Sequence, residues 1–589
     1  MAERRTIAAL WEAAVAEPRD RPAYLVEERP GTWREVSWTE AAQAVDELAH
    51  GLLALGVKKG DAFGILAHTT LEWSLFDFAM ARIGAVAAPI YPSSTPGEAR
   101  HILADSHAIG VLSEGDEGLA KVEGSRDLPR LQHLLTFADL DDLRARGRQH
   151  AVEHPDAVTD AAAAIDDEDL FTFIYTSGTT GPPKGCMILN RNYFEMTRCA
   201  VLTKALFLPT DVLLLYLPLA HNFGRYMHLL GPRLGMTIAF CPDPRRLADV
   251  MPAVRPTVMP TVPRVLEKVH TGVTAHFEQT SGVRKRLIEW ALRVGRRVSE
   301  LRQRGKRVPP ALAVQHRLAD KLVYSKVKAR LGGRMRAVIS GGAPLAKEIG
   351  EFFHTLDILI LEGYGQTEGT TASNCNLPDR FRFGTVGPAL PNIEVRVAED
   401  GEILVKGPTV FAGYYRNEEA TQEVLGADGW LRTGDVGELD DDGFLKVTDR
   451  KKDIIVTAGG KNLSPQNIEN ALKASPYISQ ALVVGDRRPF VAALITLDEE
   501  EIAKWAEERG LDGDVAALAR RDDVRALLQA VVDEVNVDLA RFEQIRSFAV
   551  LPRDFTPEDN EVTPTLKLRR RVVEEHFATE IEGLYSQAR

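Results

Sequence analysis

The stretch YTSGTTGPPKG at 175–185 sets Thr176, Ser177, Gly178, Thr179, Thr180 and Gly181 in a row ahead of Lys184, directly after the apolar run FTFIYT. Small residues let the backbone approach a polyanion closely, and hydroxyl and N–H groups can hydrogen-bond phosphate oxygens. The chemistry implied is the holding of a polyphosphate on a loop that leaves a strand. The spacing is not the G-x-x-x-x-G-K-[ST] of a Walker-type loop, so an NTPase of that class is disfavoured. A plain turn is the other meaning of a Gly/Ser/Thr run, but a run this long that closes in PPKG exceeds what a turn requires.

A loop of this kind needs a sheet to carry it. The first half of the chain alternates helical patterns with short apolar runs, AAQAVDELAHGLLALGV before DAFGILA and LFDFAMARIGAV before AAPIY, which predicts helices packed on a largely parallel sheet. FTFIYT (171–176), RAVIS (336–340) and DILILEGYG (357–365) read as further strands that end in Gly- or Ser-rich loops, and ligands bind such sheets at the carboxyl ends of strands. Beyond about residue 390, IEVRV, GEILVKG and GFLKVTD joined by EDGE and DDDGF predict a small β-rich unit. After DRKKD (449–453) a helix is expected from Ser464-Pro465, with serine as cap and proline in the first turn; ALVVGD and PFVAALITL follow as strands. The fold class is α/β: a large N-terminal domain (1–450) of helices on mostly parallel sheets with a small β-rich subdomain (about 390–450), then a mobile α+β C-terminal domain (451–589).

A chain of 589 residues, 44% hydrophobic and 26% charged, is too long for one core and has the composition of a multi-domain soluble enzyme or scaffold. Its first residues lack the apolar core of a secretory signal, and their acidic side chains argue against a transit peptide. Runs such as DVLLLYLPLA stop well short of the roughly 20 residues a spanning helix needs. Cys186, Cys199, Cys241 and Cys375 show no metal-ligand spacing and are expected to be buried thiols; a cytoplasmic protein is expected. The net charge of -12 argues against nucleic acid as a partner.

That mean conceals the segment 284–336, with seventeen Lys and Arg against three Asp and Glu. It suits a solvated helical face. Leu287, Ile288, Trp290, Ala291, Leu292 and Val294 among the cations equally suit an interfacial helix beside anionic lipid, hence a peripheral contact with the inner face of a membrane.

With its phosphate loop, the chain resembles the adenylate-forming superfamily of acyl-CoA synthetases, luciferases and peptide-synthetase adenylation domains. ISGGAPL (339–345), EGYGQTEGT (362–370), GWLRTGD (429–435), DRKKDIIVTAGGKNLSP (449–465) and TPTLKLRR (563–570) stand in that family's order, so the resemblance covers nearly the whole chain. RPTVMPTVPRVLEKV (255–269), LPLAHNFGR (217–225) and the basic insertion are similar to the long-chain acyl-CoA synthetase branch. The resemblance implies a long-chain fatty acid:CoA ligase acting through an acyl-adenylate, with ATP, fatty acid and coenzyme A as substrates and Mg²⁺ as cofactor. A neighbouring alternative is a fatty acyl-AMP ligase that loads a carrier-protein pantetheine.

Carried over position by position, the resemblance implies that Gly341, Gly342, Ala343 and Pro344 form one wall of an adenine slot and Tyr364 the other, with Glu362, Gly363 and Gly365 around it. A flat ring is well held between a glycine-rich wall and an aromatic. Thr367 would meet the α-phosphate, and Glu368 with Thr176 the Mg²⁺, an ion content with one or two carboxylates plus phosphate oxygens. Asp435 would accept from the ribose hydroxyls beside Arg450. His221, Phe223 and Gly224 would line the acyl pocket. Lys567 would be the catalytic lysine of the first step; a swing about Lys452 would then withdraw it and bring Gly459, Gly460 and Lys461 to the coenzyme A thiol.

Overall fold

The computed structural model describes residues 4–176, 183–203, 206–457, 461–556, 559–563 and 568–586. Ser177, Gly178, Thr179, Thr180, Gly181, Gly459, Gly460 and Lys567 lie outside the described residues.

Local signals set the helix ends. Thr70 caps the helix Leu71–Ile83 by accepting from Trp73 N, and Gly84 stops it in the left-handed region at φ 71°. Thr95 and Glu98 form a reciprocal capping box on Pro96–Asp105. Such helices return the chain between parallel strands. Among the described residues one sheet has the order His133–Thr136, Gly110–Ser113, Ala62–Leu66, Val86–Ile90, Leu170–Thr176, Lys184–Leu189, parallel except for its last pair. A second runs Asn374–Cys375, Ile360–Tyr364, Ala337–Ser340, Val258–Thr261, Val212–Leu215, Thr237–Phe240, Tyr24–Arg29, Thr32–Val36, parallel between two antiparallel edges. One continuous apolar core, from Ile7 to Leu445, joins both sheets.

The small β-rich unit is a four-stranded antiparallel sheet of Glu394–Val397, Glu402–Lys406, Leu431–Leu439 and Leu445–Arg450. Its third strand carries the TGD segment. The C-terminal part is α+β. Its sheet of Ile478–Val484, Val491–Leu497 and Ile545–Val550 is covered on one face by Ile468, Leu472 and Leu528 and on the other by Phe577, Ile581 and Tyr585. The helix Pro465–Lys473 begins where expected, but Ser464 makes no side-chain cap: its hydroxyl donates instead to Thr448 O at 2.9 Å, across the junction with the small sheet. Arg264 and Asp498 form a second tie at 3.0 Å.

The basic segment folds against the large domain. The helix Gly282–Gln303 buries Ala291, Val294, Gly295 and Val298, and a Cβ on Gly295 would stand 2.1 Å from Thr355 O, so it touches the helix Lys347–Thr355 backbone to backbone. Ser299 Oγ and His354 Nδ1 are 2.8 Å apart. Leu287, Ile288, Trp290 and Leu292 pack on the same core. The apolar residues expected to face lipid therefore face protein, because the core claims the helix's apolar stripe. What remains outside is Arg284, Lys285, Arg286, Arg293, Arg296 and Arg297, with the exposed apolar side chains Val283, Val314 and Leu318. No helix among the described residues is long and apolar enough to cross a membrane.

Candidate active site

A cavity of about 790 Å³, open to solvent, lies between the helices Asn190–Leu202 and Asn222–Leu234 and the carboxyl ends of Ala337–Ser340 and Ile360–Tyr364. Ala200, Leu206, Phe207, Tyr226, Met227 and Leu390 give it apolar surface; His221, Gln366, Thr367 and Thr371 give it polar groups. Gly341, Gly342, Gly363, Tyr364 and Gly365 share its lining, so the glycine wall and the tyrosine are brought together. Ala343 and Pro344 lie outside that lining. Gly342 has φ +87°, a conformation that costs glycine nothing. A Cβ on Gly341 would come within 3.3 Å of the Phe223 ring, which also lines the cavity.

The turn that follows Tyr364 is strained. Thr370 and Thr371 are β-branched residues at φ 50° and 89°, a conformation costing on the order of 1–3 kcal/mol each. Asn222 holds them: its Oδ1 accepts from Thr371 Oγ1 at 2.8 Å and from the Tyr193 hydroxyl, and its Nδ2 donates to Thr367 O at 3.3 Å. Gly365 allows the close approach, since a Cβ there would lie 2.0 Å from Thr371 O. Thr367 and Glu368 thereby stand on a rigid turn. Asn222 was not among the expected site residues although it lies between His221 and Phe223.

Asp435 is buried on Leu431–Leu439, in register with Arg450 on the neighbouring strand. Its Oδ2 accepts from the Tyr364 hydroxyl at 2.6 Å and from Gln366 Nε2 at 2.5 Å, and its Oδ1 faces Arg450 Nε at 3.2 Å. Burial, and then the Asp435 charge, raises the Tyr364 phenol well above its ordinary value, so it stays a donor. Glu362 lies beneath the glycine wall: its Oε2 accepts from Leu345 N at 3.4 Å, and burial pushes its carboxyl up to about 7.

Glu368 Oε1 accepts from the Tyr414 hydroxyl at 2.6 Å, and Lys184 Nζ lies 5.2 Å from the centre of the same ring. Thr176 ends the strand Leu170–Thr176, immediately before the Gly/Ser/Thr run of the sequence. Among the described residues no group of three His, Cys, Asp or Glu is arranged to cage an ion. The single Glu368 carboxylate, with threonine hydroxyls in the same sequence stretches, is a hard-oxygen donor set. It fits Mg²⁺ delivered on a polyphosphate, which keeps most of its coordination for phosphate and water.

Other expected residues divide. His221 lines the cavity, and its Nδ1 accepts from Phe223 N at 3.2 Å. Gly224 does not line the cavity: it packs against the chain before it, where a Cβ would stand 2.3 Å from Pro218 O. Lys452 is exposed just past the small sheet, and Lys461 is exposed on the ribbon of Ile455–Val456 and Asn462–Leu463. Arg569, two residues past Lys567, comes within 3.9 Å of Glu98. The helix bearing Glu98 also holds Pro183 O through His101 Nε2 at 2.9 Å. Arg569 and Pro183 thus meet one helix.

Behind the site, Arg225 on the helix Asn222–Leu234 pairs with Asp77, their side chains 0% and 1% exposed. Arg225 Nη1 also donates to Thr172 at 2.7 Å and the guanidinium lies 4.7 Å from the Phe171 ring. Burial, opposed by Arg225, raises the Asp77 carboxyl to about 6. In sequence neither residue is marked, since a lone Arg or Asp on a helix is normally solvated.

A largely parallel sheet with the cavity at its carboxyl ends, a second such sheet beside it and an α+β unit after them define a two-part α/β protein. The family described as AMP-binding enzyme matches residues 10–415, its C-terminal domain matches 452–589, and the chain belongs to that family. It is 40% identical over 582 residues to the long-chain-fatty-acid–CoA ligase FadD15 of Mycobacterium bovis, covering 97% of this chain and 96% of that one. It is 32% identical over 608 residues to long-chain-fatty-acid–CoA ligase 6 of Rattus norvegicus, covering 95% and 83%. Its fold matches that of the adenylation domain of a Mycobacterium chelonae carboxylate reductase with TM-score 0.77 at 23% identity, covering 99% and 91%.

Proposed function

We propose that the protein is an ATP-dependent long-chain fatty acid:CoA ligase that works through an acyl-adenylate and releases AMP and pyrophosphate. The observation that carries this reading is the lining of the open cavity, in which apolar side chains stand beside Tyr364, Gln366 and Thr367. An acyl chain needs the first surface and a reacting carboxylate the second.

In the first step a carboxylate oxygen attacks the α-phosphorus of ATP and the bond to pyrophosphate breaks. Two anions meet, so catalysis is chiefly charge neutralisation. Lys567 supplies an ammonium and Thr367 a hydroxyl at the α-phosphate. Lys184 and the loop Thr176, Ser177, Gly178, Thr179, Thr180, Gly181 hold the polyphosphate. The adenine lies between Gly341–Gly342 and Tyr364, and Asp435 exchanges its present donors for the ribose hydroxyls beside Arg450. Glu368 with Thr176 would hold Mg²⁺, which would supply Lewis-acid neutralisation of the phosphate charge. In the second step the thiol of coenzyme A attacks the acyl carbonyl and AMP leaves. The division at 450/451, a swing about Lys452 and the backbone of Gly459, Gly460 and Lys461 give the thiol its path. The core ending at Leu445 and resuming at Ile455 supports that division. The approach of Arg569 to Glu98 supports an arrangement suited to the first step.

The test is acyl-CoA formation from acids of graded chain length, with pyrophosphate measured in parallel. Long-chain acyl-CoA is expected; pyrophosphate without acyl-CoA would point to a carrier-protein acceptor and overturn the reading. The exposed cations of 284–336, together with Val283, Val314 and Leu318, support contact with anionic lipid, each cation contributing on the order of 1 kcal/mol. Co-sedimentation with anionic vesicles should fall with salt and with Gln at Arg284, Lys285, Arg296 and Arg297; insensitivity to both removes the membrane contact. The four buried free cysteines support a reducing compartment.

A further inference from the structure

We infer that Tyr414 is a positioning residue for the metal-facing carboxylate of Glu368, and that its ring steadies Lys184 beside the polyphosphate. The inference rests on the reading of Glu368 as the Mg²⁺ contact.

Terminal carboxylate torsions are broad, so a glutamate on a turn is not by itself aimed at a metal. Glu368 is fixed at both ends by one segment. Phe411 N donates to its backbone carbonyl at 2.9 Å, and the Tyr414 hydroxyl donates to Oε1 at 2.6 Å. The hydroxyl occupies one oxygen and thereby orients the other.

The segment is in turn locked to the strand that leaves the phosphate loop. Ala412 N donates to Met187 O at 3.0 Å, Met187 N to Gly413 O at 2.9 Å, and Tyr415 N to Gly185 O at 2.8 Å. Tyr414 N donates to Thr421 Oγ1 at 2.9 Å. Gly413, at φ +124°, makes the bend against Thr421, where a Cβ would come within 2.7 Å. The Tyr414 ring, 8% exposed, faces Lys184 Nζ at 5.2 Å from its centre, inside the range of a cation–π contact. One side chain therefore touches both the carboxylate read as the metal contact and the lysine read as the phosphate contact.

The test is Mn²⁺ binding, followed by electron paramagnetic resonance, to full-length protein with α,β-methylene-ATP, for the wild type, Tyr414→Phe, Tyr414→Leu and Glu368→Gln, with folding checked by circular dichroism. Partners that orient a metal ligand typically change affinity 10- to 100-fold. Tyr414→Phe should weaken Mn²⁺ about 10-fold while metal-free binding of the analogue is unchanged, because the ring is kept. Tyr414→Leu should weaken both. If Tyr414→Phe binds Mn²⁺ like the wild type while Glu368→Gln does not, the positioning role of Tyr414 is wrong. If Glu368→Gln also binds like the wild type, the metal reading of Glu368 fails, and the inference with it. Unchanged metal-free binding in Tyr414→Leu would overturn the role of the ring.

Discussion

Glu362 offers a sharp test, because its environment penalises its charge. The side chain is 7% exposed, and burial pushes its carboxyl up to about 7 from 4.5. Below pH 4.5 folded and unfolded chains both carry the proton. Between 4.5 and about 7 the folded chain keeps it and the unfolded chain releases it, so stability falls as pH rises, and above about 7 the loss is complete. At about 1.4 kcal/mol for each pH unit the loss comes to about 3 kcal/mol. Glu362→Gln cannot ionise and keeps an oxygen to accept from Leu345 N. The variant should match the wild type near pH 5 up to a constant offset, and gain on it by about 3 kcal/mol between pH 5 and pH 8.5. Urea unfolding of both proteins across that range measures the difference, in which the other carboxylates cancel. A difference that stays flat with pH refutes the reasoning. A companion rise in KM for ATP at high pH in the wild type alone would show that ionisation loosens the glycine wall.

Three further outcomes are expected. Lys567→Ala should lower adenylation by at least about 100-fold and leave thioester formation from preformed acyl-adenylate largely intact; equal loss in both half-reactions removes the assignment. Lys452→Pro, which fixes φ at the hinge, should still form adenylate in a single turnover but slow overall thioesterification, and a normal overall rate in a folded variant refutes rotation there. Asp77→Ala leaves the Arg225 charge buried and unpaired and should cost about 3–5 kcal/mol in urea unfolding, whereas Asp77→Leu with Arg225→Met should recover most of it; a cost below about 1 kcal/mol in the single variant would mean water reaches the pair.

Much of this protein was legible before folding. The alternation of helical periods with short apolar runs announced the parallel sheets, because a strand buried on both faces must be apolar throughout, and Val212–Leu215 and Ala337–Ser340 are buried along their whole length. The order of short Gly-, Thr- and Asp-bearing motifs marked residues that the fold gathers, with Gly341, Gly342, Tyr364 and Thr367 lining one cavity and Asp435 bonded to Tyr364. Boundaries that depend on one hydrogen bond were less secure: Ser464 stands at the predicted cap, yet its hydroxyl is drawn to Thr448 O.

Folding alone decided which polar residues meet. Asn222 reaches Thr371 across 149 positions, Tyr364 reaches Asp435 across 71, and Tyr414 reaches Glu368 across 46. A buried asparagine or tyrosine carries no periodic signal that names its partner, so no reading of neighbours along the chain could find these bonds. The same limit explains the basic segment. Its periodicity specifies a helix with an apolar stripe, but protein and lipid are both apolar to that stripe, and only the packing of Gly295 against Thr355 shows that the core takes it. Residue order thus settled the type of element and the chemistry each motif can perform; tertiary structure settled which surfaces were left to perform it.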